Sequence, residues 1–191
     1  MLYDFGFAMG PYQVADLAGI DVQYAARKAR WAGLGEREKT ANFVDQLYEL
    51  GRYGQKTGAG YYRYAGRNAI PDPWIEDMIA EESRKLGLTR RVIDDDEIHD
   101  RYLFSLIDEG ARVLDEGIAL RPSDIDVVYV NGFGFPAWRG GPMHYADQIG
   151  LERILASARH YEQRFGSRWA PSPLLARLAG EGKGLASLQA K

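Results

Sequence analysis

Val130–Asp147 reads VNGFGFPAWRGGPMHYAD, and this stretch decides the fold because most of it belongs to a repeat. The segment Phe5–Gly19, FGFAMGPYQVADLAG, matches Phe133–Gly150 at seven positions once three extra residues in the second copy are allowed for. The matching residues are a Phe-Gly-Phe turn, a Gly-Pro pair, one aspartate and one final glycine. A duplicated segment of this kind predicts that the same local structure is built twice.

Helices dominate the predicted structure around both copies. Each Gly-Pro pair predicts a helix start, because the fixed φ of proline suits the first helical position. Acidic residues at Asp94–Glu97 are suited to cap the positive end of the longest helix. Apolar periodicity and breakers predict helices over Val22–Trp31, Glu36–Leu50, Pro71–Leu86, Asp96–Glu116, a short one after Ser123, and Leu151–Phe165. The sequence therefore predicts an all-α fold.

The two copies differ in what precedes them. The helix Asp96–Glu116 lies ahead of the second Phe-Gly-Phe turn, whereas only four residues precede Phe5. We therefore expect the first repeat to lack its N-terminal helix, as in a fragment, a separately encoded subunit or a mis-set start. On that basis Phe5, Phe7 and Met9 should be partly exposed and promote self-association. The expected organisation is a first repeat over 1–66, a linker and helix over 67–93, and a second repeat with a divergent tail over 94–191.

Composition limits the classes of function. Lys and Arg total 24 against 27 Asp and Glu, so the net charge of −3 does not favour nucleic-acid binding. The absence of cysteine excludes disulfides and thiolate metal sites, and it is typical of a reducing compartment. No stretch of 18 apolar residues predicts a membrane span. We expect a soluble, cytoplasmic protein.

Gly132–Ala137, GFGFPA, follows an apolar run and could be taken for the glycine turn that holds the pyrophosphate of NAD. That motif requires a helix to begin within it, and Pro136 removes one N–H donor while Gly140-Gly141-Pro142 interrupts any helix. We interpret the segment as a tight turn between helices. Trp138-Arg139 in the insertion could be an exposed contact for a flat or anionic group.

Other candidate residues carry weaker signals. Lys56 lies among Gly54, Gly58 and Gly60, where backbone can approach an anionic ligand, although these residues alone favour a glycine-rich turn with a solvated lysine. His99, His144 and His160 lie on different predicted helices without metal-ligand spacing, which favours packing or surface roles. No metal site and no catalytic residue is predicted.

Three segments together resemble a known family. They are FGFAMGP with DLAGID, then RYGQKTGAGYYRY at Arg52–Tyr64, then the long run from Arg101 to Asp147. They resemble the tandem C-terminal helical region of 3-hydroxyacyl-CoA dehydrogenase, as in multifunctional β-oxidation enzymes that also carry an enoyl-CoA hydratase. The resemblance runs from Leu2 to about Leu155 and fades beyond Phe165.

The resemblance implies a fold like the C-terminal domain of 6-phosphogluconate dehydrogenase, in tandem, and a part in the NAD-dependent oxidation of L-3-hydroxyacyl-CoA to 3-ketoacyl-CoA. In the family, a Rossmann domain holds NAD and supplies a catalytic histidine–glutamate pair, neither of which matches anything in this chain. Lys56 matches a lysine that contacts the dinucleotide, and Asn131 falls on a position that contacts acyl-CoA in some members. Tyrosine at that position would stack, whereas Asn131 can only form hydrogen bonds.

The implied partners are acyl-CoA and a Rossmann or hydratase portion in cis or in trans, with a possible homodimer. The isolated chain is then expected to be inactive. Two alternatives stay open from the sequence: a non-catalytic module for acyl-CoA binding or assembly, and a purely structural dimerisation piece.

Overall fold

The structure is a computed structural model that describes residues 1–35, 39–40 and 43–188. By internal contacts the chain divides into two compact units. The smaller unit is Met9–Val92, and the larger unit combines Met1–Ala8 with Ile93–Lys191. The described residues form ten α-helices and one two-stranded hairpin, which confirms the predicted all-α class.

The expected division at 66 and 93 follows the sequence repeat and remains a prediction about the repeats. The compact units have other bounds, because residues 1–8 pack with the second half of the chain and residues 67–92 pack with the first.

The smaller unit holds helices α2 (Pro11–Ala18), α3 (Ile20–Ala29), α4 (Phe43–Glu49) and α5 (Pro73–Lys85). Its core is formed by Ile20, Leu47 and Ile75, all at most 6% exposed. Proline begins α2 and α5, and the Asp72 carboxylate caps α5 by accepting a hydrogen bond from the Trp74 N–H at 3.2 Å. Of the predicted helix Glu36–Leu50, residues 36–38 and 41–42 lie outside the described residues, and the remainder includes α4.

A two-stranded hairpin overlaps the start of the segment 67–93, for which the sequence predicted a linker and a helix. Its strands, β1 (Arg63–Ala65) and β2 (Asn68–Ile70), pair antiparallel with Tyr64 opposite Ala69. Gly66 adopts φ 64° in the connecting turn. The sequence did not indicate these strands because strands of three residues are too short to show an alternating pattern.

The larger unit begins with the short helix α1 (Leu2–Phe5) and continues with α6 (Asp95–Asp115), α7 (Pro122–Gly132), α8 (Pro142–Ile149), α9 (Leu151–Phe165) and α10 (Pro173–Gly180). Asp94 caps α6 as expected, accepting the Glu97 N–H at 2.7 Å. The apolar faces of α6, α8, α9 and α10 form one core, whose most enclosed members are Leu103, Ile107, Met143, Ile154, Leu175 and Leu178. Val127–Val130 lies inside α7, so no strand precedes the GFGFPA turn.

Phe5 and Phe7 are buried in this core at 5% and 7% exposure, so the expectation that they would be exposed was wrong. The Phe5 ring meets Phe135 and Tyr145 edge to face, with centroids 5.6 Å and 5.2 Å away. Met9, at 41%, is exposed as expected. The first Phe-Gly-Phe turn therefore packs within the larger unit, against the second copy of the turn.

Candidate functional site

The candidate site is the glycine-rich loop of the smaller unit, Gly54–Tyr62. Gln55–Thr57 form a single 3-10 turn bounded by Gly54 at φ 100° and by Gly58, which is left-handed at φ 77°. Both glycines therefore occupy backbone conformations that other residues rarely adopt. The Thr57 hydroxyl oxygen accepts a hydrogen bond from the Tyr53 N–H at 2.9 Å, and the Gly54 N–H donates to the Ala59 carbonyl at 2.8 Å. These bonds give the loop a defined shape.

Asp16, on α2, holds the far end of the loop. Its carboxylate accepts hydrogen bonds from the backbone N–H groups of Tyr61 at 2.9 Å and Tyr62 at 3.0 Å, and from the Tyr64 hydroxyl at 3.0 Å. The Asp16 side chain is 1% exposed, so these three donors replace the water that a buried carboxylate needs. Gly60 is required here, because a Cβ atom at that position would lie 2.0 Å from Asp16 Oδ1.

Arg52 braces the same loop from the other side. Its guanidinium donates to the Gly60 carbonyl at 2.8 Å and 3.0 Å, and to Asp72 Oδ2 at 2.7 Å. It also lies 4.9 Å from the centre of the Trp74 ring. Because Asp72 caps α5, Arg52 connects the glycine-rich loop to the start of that helix.

Lys56 projects from the turn and forms an ion pair with Asp21, in the first turn of α3. The Lys56 ammonium lies 2.6 Å and 2.7 Å from the two Asp21 carboxylate oxygens. The hydrogen bond from Lys56 lowers the pKa of Asp21 below its usual value, so the carboxylate is ionised at neutral pH. The Lys56 side chain is 49% exposed, so its ammonium is accessible to a solute anion.

Asp147 in the larger unit, the repeat counterpart of Asp16, holds a corresponding loop. It accepts the N–H groups of Leu185 at 2.6 Å and Ala186 at 2.8 Å. A Cβ at Gly184 would lie 2.7 Å from Asp147 Oδ1, so Gly184 takes the place of Gly60. Pairing Leu185 with Tyr61 places Gly180 at the position of Lys56. An aspartate that accepts two consecutive backbone N–H groups, which we call the aspartate clamp, therefore occurs in both units. The larger unit has a glycine, Gly180, where the smaller unit has Lys56.

The sequence matches the family described as 3-hydroxyacyl-CoA dehydrogenase, C-terminal domain, over residues 1–64 and 98–187. The chain belongs to this family. The match reaches residue 187, so the expectation that the resemblance fades beyond Phe165 was wrong. This part of the match contains Leu185 and Ala186, whose N–H groups donate to Asp147 as those of Tyr61 and Tyr62 donate to Asp16.

The chain is similar in sequence to multifunctional enzymes of fatty-acid oxidation. The peroxisomal bifunctional enzyme of Danio rerio is 41% identical over 199 residues, covering 95% of this chain and 27% of that protein. The fatty acid oxidation complex subunit alpha of Vibrio campbellii is 35% identical over 183 residues, covering 95% of this chain and 25% of that protein. This chain therefore spans about a quarter of the length of these curated relatives.

A solved structure gives the same assignment. The dehydrogenase part of multifunctional enzyme 1 from C. elegans superposes with a TM-score of 0.70 at 29% identity, covering 92% of this chain and 40% of that one. Among the residues that the structure describes, no helix combines the length and the hydropathy needed to cross a membrane.

Asn131, the second residue to which the family resemblance assigned a ligand contact, lies near the end of α7 in the larger unit. Its side chain is exposed, and its amide donates to the Val127 carbonyl of the same helix at 2.8 Å. This bond fixes the carboxamide against its own helix. Lys56 and Asn131 thus belong to different compact units of this dehydrogenase domain.

Arg139 has a structural role that the sequence did not indicate. Its guanidinium donates to the Phe5 carbonyl at 2.9 Å and lies 4.0 Å from the centres of both the Phe5 and Trp138 rings. Arg139 thus contacts α1 through its Nε–H and one face of its guanidinium, and the expected ligand contact at Trp138-Arg139 remains a prediction. Trp138 is 71% exposed.

The histidines of this family member have the packing and surface positions that the sequence favoured. His99 lies 3.2 Å from the Tyr145 hydroxyl and 3.0 Å from Asp100 Oδ1. His144 contacts Gln148 at 3.0 Å on the surface of α8, and His160 contacts Arg164 at 3.5 Å on α9. Within the described ranges, no group of three or more His, Cys, Asp or Glu side chains could hold a metal ion.

Proposed function

We propose that this chain is the C-terminal region of an NAD-dependent L-3-hydroxyacyl-CoA dehydrogenase, which oxidises 3-hydroxyacyl-CoA to 3-ketoacyl-CoA in fatty-acid β-oxidation. The observation that carries the proposal is the family match across both repeats in a chain that has no complete dinucleotide-binding motif of its own. On this proposal the chain shapes the ligand site, and a Rossmann portion supplies the catalytic histidine–glutamate pair.

Lys56 is the proposed contact to the dinucleotide. A half-exposed ammonium on a loop fixed by Asp16 and Arg52 fits one phosphate group of NAD, because little conformational entropy is lost when it binds. The Asp21 carboxylate competes with that phosphate for the same ammonium, so the contact orients the cofactor and adds modest affinity. A dinucleotide-binding motif has a strand, a glycine turn and a helix in that order, and the elements around this loop do not follow that order. The loop therefore fits a contact with a single phosphate group.

Asn131 is the proposed contact to acyl-CoA. One of the two N–H groups of its side-chain amide donates to the Val127 carbonyl, so its side-chain oxygen can accept a hydrogen bond from a ligand amide and its second N–H can donate one. Such a bond would position the substrate without taking part in bond making.

NAD supplies the chemistry when it is bound, by accepting the hydride from the substrate. The acid–base step needs a group within hydrogen-bond reach of the substrate hydroxyl. On this proposal that group is the histidine of the Rossmann portion, which the family resemblance implies. The proposed partners are therefore acyl-CoA and a Rossmann or hydratase portion. A homodimer and a cytoplasmic location remain predictions, the latter because some relatives carry peroxisomal names.

The test is NADH formation from L-3-hydroxybutyryl-CoA, first by this chain alone and then with the separately produced remainder of the Danio rerio relative. We expect no turnover from either component alone and turnover from the mixture. Turnover by the isolated chain, or none from the mixture when both components are folded, would contradict the proposal.

A further inference from the structure

An apolar groove of about 390 Å³ lies on the surface of the larger unit, between α6, α7 and the loop that joins them. Its apolar lining includes Val113 of α6, Ile118 and Leu120 of the loop, and Val128 and Tyr129 of α7. Ile118 is 72% exposed and Leu120 is 79% exposed. The groove is therefore an apolar surface that is open to solvent.

The backbone of the loop uses its hydrogen-bond donors within the protein. The Gly117 N–H donates to the Leu114 carbonyl at 3.1 Å, and the Ile118 and Ala119 N–H groups donate to the Val113 carbonyl at 3.0 Å and 3.3 Å. A ligand in the groove meets apolar side chains on this wall and no free N–H group from these three residues. Such a lining suits a part of a ligand that has no hydrogen-bonding atoms.

The charged residues of the groove indicate that this part of the ligand is also uncharged. Two carboxylates line it, from Glu109 and Asp124. Asp124 forms an ion pair with Arg121 at 2.8 Å, whereas Glu109 is exposed. A phosphate or a free carboxylate in the groove would be repelled by Glu109. The charged end of an amphiphilic ligand therefore has to lie outside the groove.

Two small residues leave room for a chain. Gly110 of α6 and Ala119 of the loop both line the groove, and neither has a side chain long enough to fill it. A saturated hydrocarbon chain adapts to such a surface by rotation about its single bonds, and its binding free energy grows with the apolar area that it buries. An aliphatic chain is the chemical group that these features fit.

The apolar surface continues from the groove to Asn131. Val128 lines the groove and precedes Asn131 by three residues, so the two side chains are neighbours on the surface of α7. The Phe133 ring, 67% exposed, lies 5.1 Å from the Tyr129 ring, centre to centre. A ligand that contacts Asn131 can therefore extend along Val128 into the groove.

We propose that this groove binds the aliphatic chain of a medium- or long-chain acyl-CoA whose thioester end lies at Asn131. The inference rests on the proposed function, because it takes the ligand of Asn131 to be acyl-CoA. It adds a class of substrate to that function. A butyryl chain would leave most of the groove in contact with water, so longer chains are favoured.

Calorimetric titration of the chain with butyryl-CoA and with dodecanoyl-CoA, the latter below its micelle concentration, measures this preference. We expect dodecanoyl-CoA to bind about tenfold or more tightly than butyryl-CoA. Val128→Asp should weaken dodecanoyl-CoA binding by about tenfold, because its carboxylate would lie against the chain, and leave butyryl-CoA binding little changed.

Val22→Asp is the matched control, since Val22 is 56% exposed against 54% for Val128 and the variant adds the same charge outside the groove. Leu120→Ser, on another wall of the groove, should reduce the preference for the longer chain in the same direction as Val128→Asp. Circular dichroism checks that all three variants remain folded.

Equal affinity for the two chain lengths, no binding of either, or the same loss from Val128→Asp and Val22→Asp would overturn the inference. Dodecanoate binding as tightly as dodecanoyl-CoA would mean that the groove takes a free fatty acid, and this also overturns it. A dimer that Val128→Asp dissociates would show that a second copy covers the groove, with the same consequence. NADH formation from 3-hydroxybutyryl-CoA does not depend on the groove, so failure of the chain-length preference is distinguishable from failure of the proposed function.

Discussion

Asp16 and Asp147 hold corresponding loops of the two units, because each carboxylate accepts hydrogen bonds from two consecutive backbone N–H groups. Asparagine at either position would present an NH2 group to one of these donors. We expect Asp16→Asn to destabilise the smaller unit by about 2–3 kcal/mol, and Asp147→Asn to do the same in the larger unit. Hydrogen exchange resolves the two effects by unit, with the exposed Asp77→Asn as control. Equal loss of protection throughout the chain from either variant would contradict separate clamps.

Gly60 is the residue that lets the loop approach Asp16. A Cβ at Gly60 would lie 2.0 Å from Asp16 Oδ1 and 2.7 Å from Gly54 Cα, so a methyl group forces the clamp apart. We expect Gly60→Ala to lower the free energy of unfolding by about 2–3 kcal/mol. Gly33→Ala is the matched control, since no atom lies within 4 Å of a Cβ there. Urea denaturation compares them, and a tolerated Gly60→Ala would show that Asp16 does not constrain the loop.

Arg139 holds α1 within the larger unit through contacts with the Phe5 carbonyl and ring. Arg139→Ala removes one charged hydrogen bond and the cation–π contacts with Phe5 and Trp138, so we expect a loss of about 1–3 kcal/mol. Hydrogen exchange should show faster exchange at Gly6 and Phe7, whose N–H groups donate within the α1 turn. The exposed Arg159→Ala serves as control. Unchanged exchange at these two amides would mean that aromatic packing alone holds α1.

Asp126 gives the larger unit a pH dependence. Burial raises the pKa of its carboxyl above the usual 3.8. The hydrogen bonds that it accepts from the Met143 and His144 N–H groups lower the pKa, but by less. The folded state then binds the proton more tightly than the unfolded state. Stability attributable to Asp126 is therefore greatest at acid pH and falls as pH rises through the raised pKa.

The difference in unfolding free energy between the wild type and Asp126→Asn, measured from acid to neutral pH, isolates this effect. We expect the difference to move against the wild type as pH rises. A difference that moves in favour of the wild type over that interval would show that the backbone donors outweigh burial.

Much of the local structure could be predicted from the sequence. Leu151–Phe165 has an apolar stripe and a glycine at each end, and α9 has these bounds. The Gly-Pro pairs mark the starts of α2 and α8. Such signals are local, so a single sequence contains them.

The long-range contacts could not be predicted in this way. The repeat marked Asp16 and Asp147 as equivalent, but nothing near Asp16 indicates that its partners are backbone groups 45 and 46 residues away. Burial of Phe5 depends on Phe135 and Arg139, more than 100 residues further along. For the candidate site, family resemblance selected Lys56, whereas its ion pair with Asp21 required the structure.

The most direct test of the central claim is the Michaelis constant for NAD of the reconstituted dehydrogenase, formed by this chain and the remainder of a relative, with Lys56→Met in place of wild type. Lys183→Met is the matched control, since Lys183 lies in the equivalent loop but pairs with Glu181. We expect Lys56→Met to raise KM for NAD by about tenfold, or about 1.4 kcal/mol, with KM for 3-hydroxyacyl-CoA little changed. A KM for NAD equal to that of wild type and of Lys183→Met would contradict the claim that Lys56 contacts the dinucleotide.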